Sequence, residues 1–301
     1  MKVRATPKSR FSAATAREGN GSPDEVGAAA FSNFAFSDAD YRRLQKMIFD
    51  YAGISLNKNK KPMAYSRLTR RLRQLNLSTF EAYLDLVESS GEDEHVKFIN
   101  ALTTNLTYFF REAHHFPVLV DHLMNLPTTN PLVIWSAACS TGEEPYSMAM
   151  AVIEAFATDT PPVRIIASDL DTEALATAER GVYAMDKLDA LSQLRLKKFF
   201  LKGTGARAGY ARIRPEVQRL VDFRQLNLHD GPWDIPAPLA AIFCRNVMIY
   251  FNKETQAKIL ARFLPLLRPN GLLFAGHSEN FFYNAADIFR NRGKTVYELA
   301  N

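Results

Sequence analysis

The sequence predicts an α/β protein with a mostly parallel sheet, preceded by a small all-helical domain. After Pro131, short apolar runs alternate with helical patterns, which is typical of parallel strands covered by helices on both faces. Before Pro131 the apolar residues recur at helical spacing instead. The four clearest apolar runs read LVIWSAA, VRIIASD, LAAIFCR and GLLFAGH.

The predicted domain boundaries follow changes in composition. The first segment is rich in Ser, Ala and Gly without any period, which is typical of disorder. A later stretch, KGTGARAG, interrupts the strand–helix alternation and indicates a small inserted β-subdomain. The expected segments are a disordered tail (1–36), a helical domain (37–103), a linker (104–130) and an α/β domain (131–301) with the insertion at about 183–219.

The helical domain begins with recognisable start and stop signals. Ser37 is a typical N-cap with Asp40 three residues later, and Gly53 is typical of a helix end. Leu44 and Ile48 recur at helical spacing between these signals. Further helical patterns cover about 62–75, 79–89 and 93–102.

The charge of the chain is distributed unevenly. The 301 residues carry a formal net charge of +5, but the segment from Tyr41 to Leu77 holds ten Lys or Arg and a single acid, which gives it +9. A local basic surface predicts an acidic partner, such as nucleic acid, a membrane surface or an acidic protein. No apolar run is long enough to span a membrane, and no secretory signal is visible. We therefore expect a cytoplasmic protein without membrane insertion.

The turns after the first two predicted strands carry the most informative residues. Strand one is followed by ACSTGEE, and strand two ends at Asp169, 27 positions after Gly142. An acid in that position accepts hydrogen bonds from ribose hydroxyls. The GxGxxG and P-loop patterns are absent, and Glu143 and Glu144 stand where a pyrophosphate needs bare N–H groups. The pattern favours a cationic nucleoside without phosphate, such as S-adenosylmethionine, with both glutamates facing it.

Five motifs follow one another along the chain: TTNLTYFFREAHHFP, SAACSTGEEPYSMAM, ASDLDTEAL, FCRNVMIYF and LLFAGHSEN. From about residue 37 to the C-terminus, the sequence closely resembles the CheR family of chemotaxis receptor methyltransferases. The resemblance implies a Rossmann-like S-adenosylmethionine-dependent methyltransferase fold, with S-adenosylhomocysteine as product and no metal. The implied reaction is methyl transfer to glutamate side chains in the cytoplasmic helical region of methyl-accepting chemoreceptors.

The resemblance also implies roles for individual residues. Arg111 and Tyr250 correspond to residues beside the transferring methyl group, and Arg111 also contacts the cofactor. Glu144 corresponds to the residue that binds the amino-acid end of the cofactor, and Asp169 corresponds to the ribose-binding acid. The other implied cofactor contacts are Asn105, Thr107, Asn227, Leu228, Asn246 and Val247.

The chemistry of the implied reaction agrees with the residues present. A glutamate is ionised at neutral pH, so its methylation needs no general base, and the turn RNVMIY offers none. We expect Arg111 to hold one oxygen of the incoming carboxylate while the other attacks. Two alternatives remain open: a nucleic-acid methyltransferase that places the basic helices on phosphates, and a non-catalytic adaptor that senses S-adenosylmethionine.

Two surfaces are predicted to bind the receptor. The first is the basic helix at 62–75, with Arg67, Arg70 and Arg71. The second lies in the inserted subdomain, because tether-binding members of the family use a glycine-containing hairpin there to pair with a receptor's C-terminal peptide. Gly203, Gly205 and Gly209 resemble that hairpin in kind, and the alternative is a flexible surface loop.

Overall fold

The computed structural model describes residues 34–89, 91–279 and 288–300. The predicted disordered tail lies outside the described residues up to position 33. Within its last positions, Phe36 stacks on Phe80 of the helical domain, with ring centroids 4.1 Å apart. The residues from Ala35 onward belong to one unit, which contains both the helical and the α/β domain.

The described part of the N-terminal domain contains four α-helices and a short 3-10 helix at Lys58–Lys60. Ser37 and Asp40 form a capping box at the start of the first helix, with Asp40 N donating to Ser37 Oγ at 3.0 Å. Gly53 ends this helix in the left-handed region at φ +67°. Both predicted signals are confirmed, because each satisfies backbone groups that a helix end leaves unpaired. The helices are α1 (Asp38–Ala52), α2 (Lys61–Gln74), α3 (Phe80–Ser89) and α4 (Glu92–Leu102).

The α/β domain is built on strands that include all four predicted apolar runs. The strands are β1 (Leu132–Ser136), β2 (Val163–Asp169), β3 (Val182–Ala184), β4 (Phe200–Lys202), β5 (Tyr210–Ile213), β6 (Val221–Gln225), β7 (Leu239–Cys244), β8 (Leu267–Ala275), β9 (Phe289–Gly293) and β10 (Val296–Leu299). The main sheet has the order β6–β2–β1–β7–β8–β10–β9. Its first five strands are parallel to one another, and β10 pairs antiparallel with both β8 and β9. The predicted fold class is confirmed.

Helices cover the main sheet, which explains the continuous apolar runs of its strands. Every residue of β7 is buried, as expected for a strand with layers on both faces. The covering helices are α5 (His115–Met124), α6 (Glu143–Phe156), α7 (Thr172–Arg180), α9 (Pro215–Gln218) and α10 (Lys253–Phe263). Among the described residues, no helix has both the length and the apolar character that crossing a membrane requires.

The predicted insertion forms a small separate sheet between α7 and β6. Its three strands are antiparallel in the order β3–β5–β4, and α8 (Gln193–Phe199) leads into β4. The KGTGARAG stretch begins at Lys202, the last residue of β4, and its residues 203–209 connect β4 to β5. The inserted β-subdomain is therefore larger than a single hairpin.

The segment after α1 packs against the turn after β7. Ile54 pairs with Phe251 in an antiparallel bridge, and Ser55 N donates to the Tyr250 carbonyl at 2.8 Å. Asn227, which follows β6, donates from Nδ2 to the Tyr51 carbonyl at 2.7 Å. The helical domain thus contacts the α/β domain beyond the carboxyl ends of its parallel strands.

Candidate cofactor site and active site

A cleft of about 310 Å³ lies between the helical domain and the carboxyl ends of the parallel strands. This is where open α/β sheets bind ligands. Every residue implied to contact the cofactor or the methyl group lines it: Asn105, Thr107, Arg111, Glu144, Asp169, Asn227, Leu228, Asn246, Val247 and Tyr250. The structure therefore brings these residues together, and their individual contacts with a cofactor stay predictions.

Glu144 lies on the floor of the cleft at the start of α6. Its Oε1 accepts a hydrogen bond from Ser136 Oγ at 2.7 Å, and its Oε2 accepts one from Arg245 Nε at 2.6 Å. Arg245 follows β7 and is only 5% exposed. Both carboxylate oxygens are therefore fixed in place, and the charge of Glu144 is balanced by a buried guanidinium.

Arg245 also holds the segment that carries Arg111. Its Nη1 donates to the Arg111 carbonyl at 2.7 Å and lies 3.0 Å from His115 Nδ1. Because arginine can only donate, His115 Nδ1 must accept, and the ring is neutral. Burial and the nearby charge of Arg245 lower the pKa of His115 to about 3. Sequence reasoning missed Arg245, since its partner Glu144 is 101 positions away.

Glu143 does not face the cleft. Its side chain is buried, and its Oε2 accepts a hydrogen bond from Thr141 Oγ1 at 2.6 Å. Burial raises the pKa of this carboxyl. The expectation that both glutamates face a cationic ligand is wrong for Glu143, because adjacent residues of a helix point about 100° apart. Glu144 alone lines the cleft.

Asp169 ends β2 at the position expected of a ribose acceptor. Its Oδ2 accepts a hydrogen bond from Ser140 N at 2.7 Å, and its Oδ1 accepts one from Asp171 N at 2.9 Å. Burial raises the pKa of Asp169 to about 6. The side chain is therefore mostly ionised at neutral pH and becomes protonated under mildly acidic conditions.

Asp171 is a buried residue of the site that sequence reasoning missed. Its Oδ1 caps α7 by accepting hydrogen bonds from Glu173 N and Ala174 N, each at 3.0 Å. Its Oδ2 accepts from Thr103 Oγ1 at 2.7 Å and from Asn105 Nδ2 at 2.6 Å. Asp171 thus fixes the linker that brings Asn105 to the cleft. An acid directly before the helical pattern TEAL was the signal that marks this cap.

Glu279 holds the turn after β7. Its Oε2 accepts hydrogen bonds from Asn246 N at 2.8 Å and Gly276 N at 2.6 Å, and its Oε1 accepts one from Met248 N at 2.8 Å. Asn246 lies in the left-handed region at φ +59°. Glu279, which sequence reasoning also missed, therefore stabilises the backbone that carries Asn246, Val247 and Tyr250 to the cleft.

Asn227 uses its side chain to shape the cleft wall. Besides its bond to the Tyr51 carbonyl, Nδ2 donates to Asp230 Oδ2 at 2.8 Å, and Oδ1 accepts from His229 N at 3.0 Å. Both amide protons of Asn227 are therefore in use. The implied cofactor contact at this position therefore rests on the backbone of Asn227 and on its neighbour Leu228, which is buried and lines the cleft.

The mouth of the cleft carries cations. Arg111 Nη1 donates to the Leu106 carbonyl at 2.9 Å, and its guanidinium lies 5.7 Å from the centre of the Tyr108 ring. Lys60, at the start of α2, lines the same cleft and is exposed. Neither Arg111 nor Lys60 has a carboxylate partner in the described part of the chain. Acids therefore line the floor, and unpaired cations line the mouth.

The three arginines predicted to bind a receptor are in different situations. Arg67 Nη1 donates to the carbonyls of Leu102 and Thr103 at 3.0 and 2.5 Å. Arg71 forms a two-point ion pair with the buried Glu94, at 3.0 and 2.6 Å. Both side chains are engaged inside the protein, and their predicted contact with a receptor stays a prediction. Arg70 is exposed and has no acidic partner among the described residues, so its receptor contact stays a prediction.

The basic segment from Tyr41 to Leu77 is also less free than its charge of +9 indicates. Several of its cations pair with acids nearby in space. The pairs are Arg43 with Asp85 and Glu88, Lys46 with Asp50, and Lys61 with Asp38. The unpaired positive charge is concentrated at fewer positions than the sequence predicts.

The glycines of the inserted subdomain do not line the cleft, and local backbone geometry accounts for them. Gly205 and Gly209 have φ of +56° and +87°, a region that other residues rarely adopt. A Cβ on Gly203 would lie 2.1 Å from the Arg207 carbonyl oxygen. These requirements belong to the β4–β5 connection itself, and a role in peptide binding stays a prediction.

Glu112, His114 and His115 form a group whose potential ligand atoms lie within 4.8 Å of one another. Arg245 opposes a metal ion there. Its Nη1 lies 3.9 Å from Glu112 Oε2 and already bonds His115 Nδ1. We assign no metal to this group, because a second cation would be repelled by the guanidinium.

Two family models match the chain, "CheR methyltransferase, all-alpha domain" at residues 39–103 and "CheR methyltransferase, SAM binding domain" at residues 105–298. Chemotaxis protein methyltransferase 2 of Pseudomonas aeruginosa is 48% identical over 281 residues, which cover 92% of this chain and 100% of the relative. The chemotaxis protein methyltransferase of Escherichia coli is 50% identical over 267 residues, which cover 88% and 92%. The corresponding protein of Salmonella typhimurium is 49% identical over 267 residues, with the same coverage of 88% and 92%. These matches include both domains and the cleft between them.

Proposed function

Because the chain belongs to the CheR methyltransferase family, we propose that it transfers the methyl group of S-adenosylmethionine to glutamate side chains of methyl-accepting chemoreceptors. The product is a glutamate methyl ester, and the reaction takes place in the cytoplasm. The observation that carries this proposal is the division of charge along the cleft. Glu144 and Asp169 on the floor suit a cationic cofactor, and Arg111 and Lys60 at the mouth suit an acidic substrate.

The residues of the floor fit S-adenosylmethionine and do not fit a phosphate. The first turn of α6, which attracts anions in other α/β proteins, here carries Glu143 and Glu144. Glu144 is an acceptor for an ammonium group, and Asp169 is an acceptor for ribose hydroxyls. When bound, S-adenosylmethionine supplies an electrophilic methyl group on a positively charged sulfur.

The protein's part in the chemistry is to orient and desolvate the substrate. The incoming glutamate is already ionised, so no residue has to remove a proton. Arg111 uses Nη1 for the Leu106 carbonyl and keeps other N–H groups to hold one carboxylate oxygen. Tyr250 lines the same region of the cleft. Such positioning lowers the barrier, by up to about 7–11 kcal/mol in intramolecular model reactions.

The direct test is incubation of the protein with labelled cofactor and receptor-containing membranes. We expect label on the receptor that is released by mild alkali, because methyl esters hydrolyse readily and methylated amines do not. Membranes that lack the receptor are the control. Alkali-stable label, or cofactor binding without any transfer, would contradict the proposal.

The same experiment separates the two alternatives. A nucleic-acid methyltransferase would lose receptor labelling when excess RNA or DNA is added at low salt. The structure does not favour this alternative, because Arg43, Lys46, Lys61 and Arg71 are paired with acids of the protein. A cofactor-sensing adaptor would bind S-adenosylmethionine and give no labelled receptor.

We further propose that the inserted subdomain binds a receptor's C-terminal peptide along the outer edge of β4. Gly203 N donates to the Tyr210 carbonyl, and Arg214 N donates to the Phe199 carbonyl. In an antiparallel pair, hydrogen-bonded positions alternate, so Phe200 and Lys202 direct their backbone groups outward. β4 is an edge of its sheet in the described structure. An extended peptide can pair with such an edge.

Lys202→Pro tests this edge without disturbing the pairing of β4 with β5, since the N–H it removes points outward. We expect slower methylation of receptors that carry the C-terminal peptide, because tethering raises the local substrate concentration. Receptors without the peptide serve as the control and are expected to be methylated at the wild-type rate. Equal loss on both substrates, or no loss on either, would contradict peptide binding at β4.

A further inference from the structure

Three large apolar side chains are exposed around the cleft mouth. Leu106 is 72% exposed and Ile249 is 52% exposed, and both line the cleft. Tyr108 is 50% exposed and lies next to the Arg111 guanidinium. We refer to Leu106, Tyr108 and Ile249 as the apolar rim. Large side chains at such exposure are unfavourable in water, and several together at a catalytic cleft indicate a binding surface.

We propose that the apolar rim binds nonpolar side chains of the substrate that lie one helical turn from the target glutamate. The rim therefore selects which glutamates of an acidic helix enter the cleft. This inference rests on the proposed function, which supplies a helical substrate. Residues three or four apart on a helix are neighbours at about 5–6 Å, so a glutamate that enters the cleft brings these neighbours to its mouth.

The charges at the mouth argue for this occupant. Arg111 and Lys60 line the cleft beside the rim and have no acidic partner among the described residues. A helix with glutamates and nonpolar residues on one face matches both the cations and the rim. The rim is also continuous with the reaction site, because the Leu106 carbonyl holds Arg111 Nη1 and Ile249 precedes Tyr250. A carboxylate that binds Arg111 therefore enters the same cleft that Leu106 and Ile249 line.

Leu106→Ser and Ile249→Ser test the rim. We expect each substitution to raise KM for a receptor cytoplasmic fragment on the order of tenfold, because apolar area is no longer buried on binding. We expect kcat to change much less than KM, and the affinity for S-adenosylhomocysteine, measured by calorimetry, to stay close to the wild-type value. Leu194→Ser is the matched control, since Leu194 lies on α8, is 77% exposed and does not line the cleft.

A substitution in the substrate completes the test. Replacing the nonpolar residues three and four positions from a methylated glutamate by serine is expected to give the same loss with the wild-type enzyme. With the Leu106→Ser enzyme, the same substrate change is expected to raise KM little further, because the two changes remove the same contact. Fully additive losses would overturn direct contact between the rim and those residues.

Other outcomes identify other roles for the rim. A rise in KM no larger than that of Leu194→Ser overturns the inference and leaves the proposed function intact. A fall in affinity for S-adenosylhomocysteine would assign the rim to the cofactor. If the wild-type protein self-associates and Leu106→Ser abolishes this without changing KM, the rim binds a second copy. If the wild-type protein methylates no receptor, the proposed function fails and the inference fails with it.

Discussion

On the floor of the cleft, Glu144 and Asp169 each accept two hydrogen bonds from the protein, whereas at the mouth Arg111 and Lys60 have no acidic partner within the described structure. Glu144 is buried, Asp169 is partly buried, and both are held in place before any ligand arrives. At the mouth, Lys60 is exposed and Arg111 is partly exposed, and neither charge is paired with an acid of the described residues. This difference suits a site in which one invariant cofactor binds inside and different protein segments are presented from outside. The preorganised floor favours high affinity for the cofactor, and the unpaired cations at the mouth remain available to bind the protein substrate.

The largest expected effect comes from breaking the floor at Arg245. Arg245→Met leaves Glu144 buried without its partner, so we expect the free energy of unfolding to fall by about 3–5 kcal/mol. Urea unfolding measures this loss. The double variant Glu144→Gln, Arg245→Met is expected to recover much of the stability, because no unpaired charge remains. A single variant within about 1 kcal/mol of the wild type would show that the floor is not held by this ion pair.

At the mouth, Arg111→Ala is expected to act on turnover and not on folding. We expect turnover to fall on the order of 100-fold, because one preorganised donor to the reacting carboxylate is lost. Affinity for S-adenosylhomocysteine is expected to change much less. Arg111→Lys should recover little, since an ammonium lacks the geometry of the guanidinium. Near-normal turnover of the lysine variant would remove carboxylate orientation as the role of Arg111.

The charge of Asp169 gives a test of the floor by pH. The pKa of Asp169 is raised to about 6, so the ionised form that accepts from ribose hydroxyls dominates above pH 6 and is lost below it. We expect affinity for S-adenosylhomocysteine to fall by up to about tenfold per pH unit below pH 6. Calorimetry from pH 7.5 to 5 measures this change. Asp169→Asn is expected to bind S-adenosylhomocysteine more weakly at neutral pH and to lose the dependence of affinity on pH. If the affinity of the wild-type protein does not change between pH 7.5 and 5, Asp169 is excluded as the acceptor.

The smallest expected effect is at Arg70, which lies outside both regions. Arg70→Ala is expected to raise KM for receptor a few-fold and to change the free energy of unfolding by less than about 0.5 kcal/mol. Arg71→Ala is the informative contrast, since it leaves the buried Glu94 unpaired and is expected to destabilise the fold. If Arg70→Ala and Arg71→Ala raise KM by the same factor and leave the free energy of unfolding unchanged, the assigned roles of Arg70 and Arg71 are wrong.

Much of the fold follows from local signals in the sequence. Ser37, Asp40 and Gly53 mark the ends of α1 because capping is decided by the residues at the helix end. The buried strands were visible as apolar runs for an equally local reason. The strands β4, β5 and β9 gave no comparable signal, because at least half of the side chains in each are exposed. β10 is mostly buried, but it is only four residues long and includes Glu298, so it does not form an apolar run.

The sequence predicted which positions line the cleft, but not the hydrogen bonds and ion pairs among them. The motif residues do meet at one cleft, since strand ends converge in a parallel sheet. Their bonding depends on partners far apart in the chain, such as Glu144 with Arg245 or Asn105 with Asp171. For the same reason, local charge could not tell that Arg71 is engaged with Glu94 and that Arg70 is not.

The bridge between Ile54 and Phe251 has a thermodynamic consequence. It makes the helical domain one wall of the cleft, so a ligand in the cleft touches both domains. Ligand at 100 times its Kd adds about 2.7 kcal/mol to the stability of the native state. Because the ligand touches both domains, this added free energy stabilises the contact between them as well as each domain. We therefore expect bound cofactor to make the helical domain and the α/β domain unfold together, and its release to weaken the coupling between them.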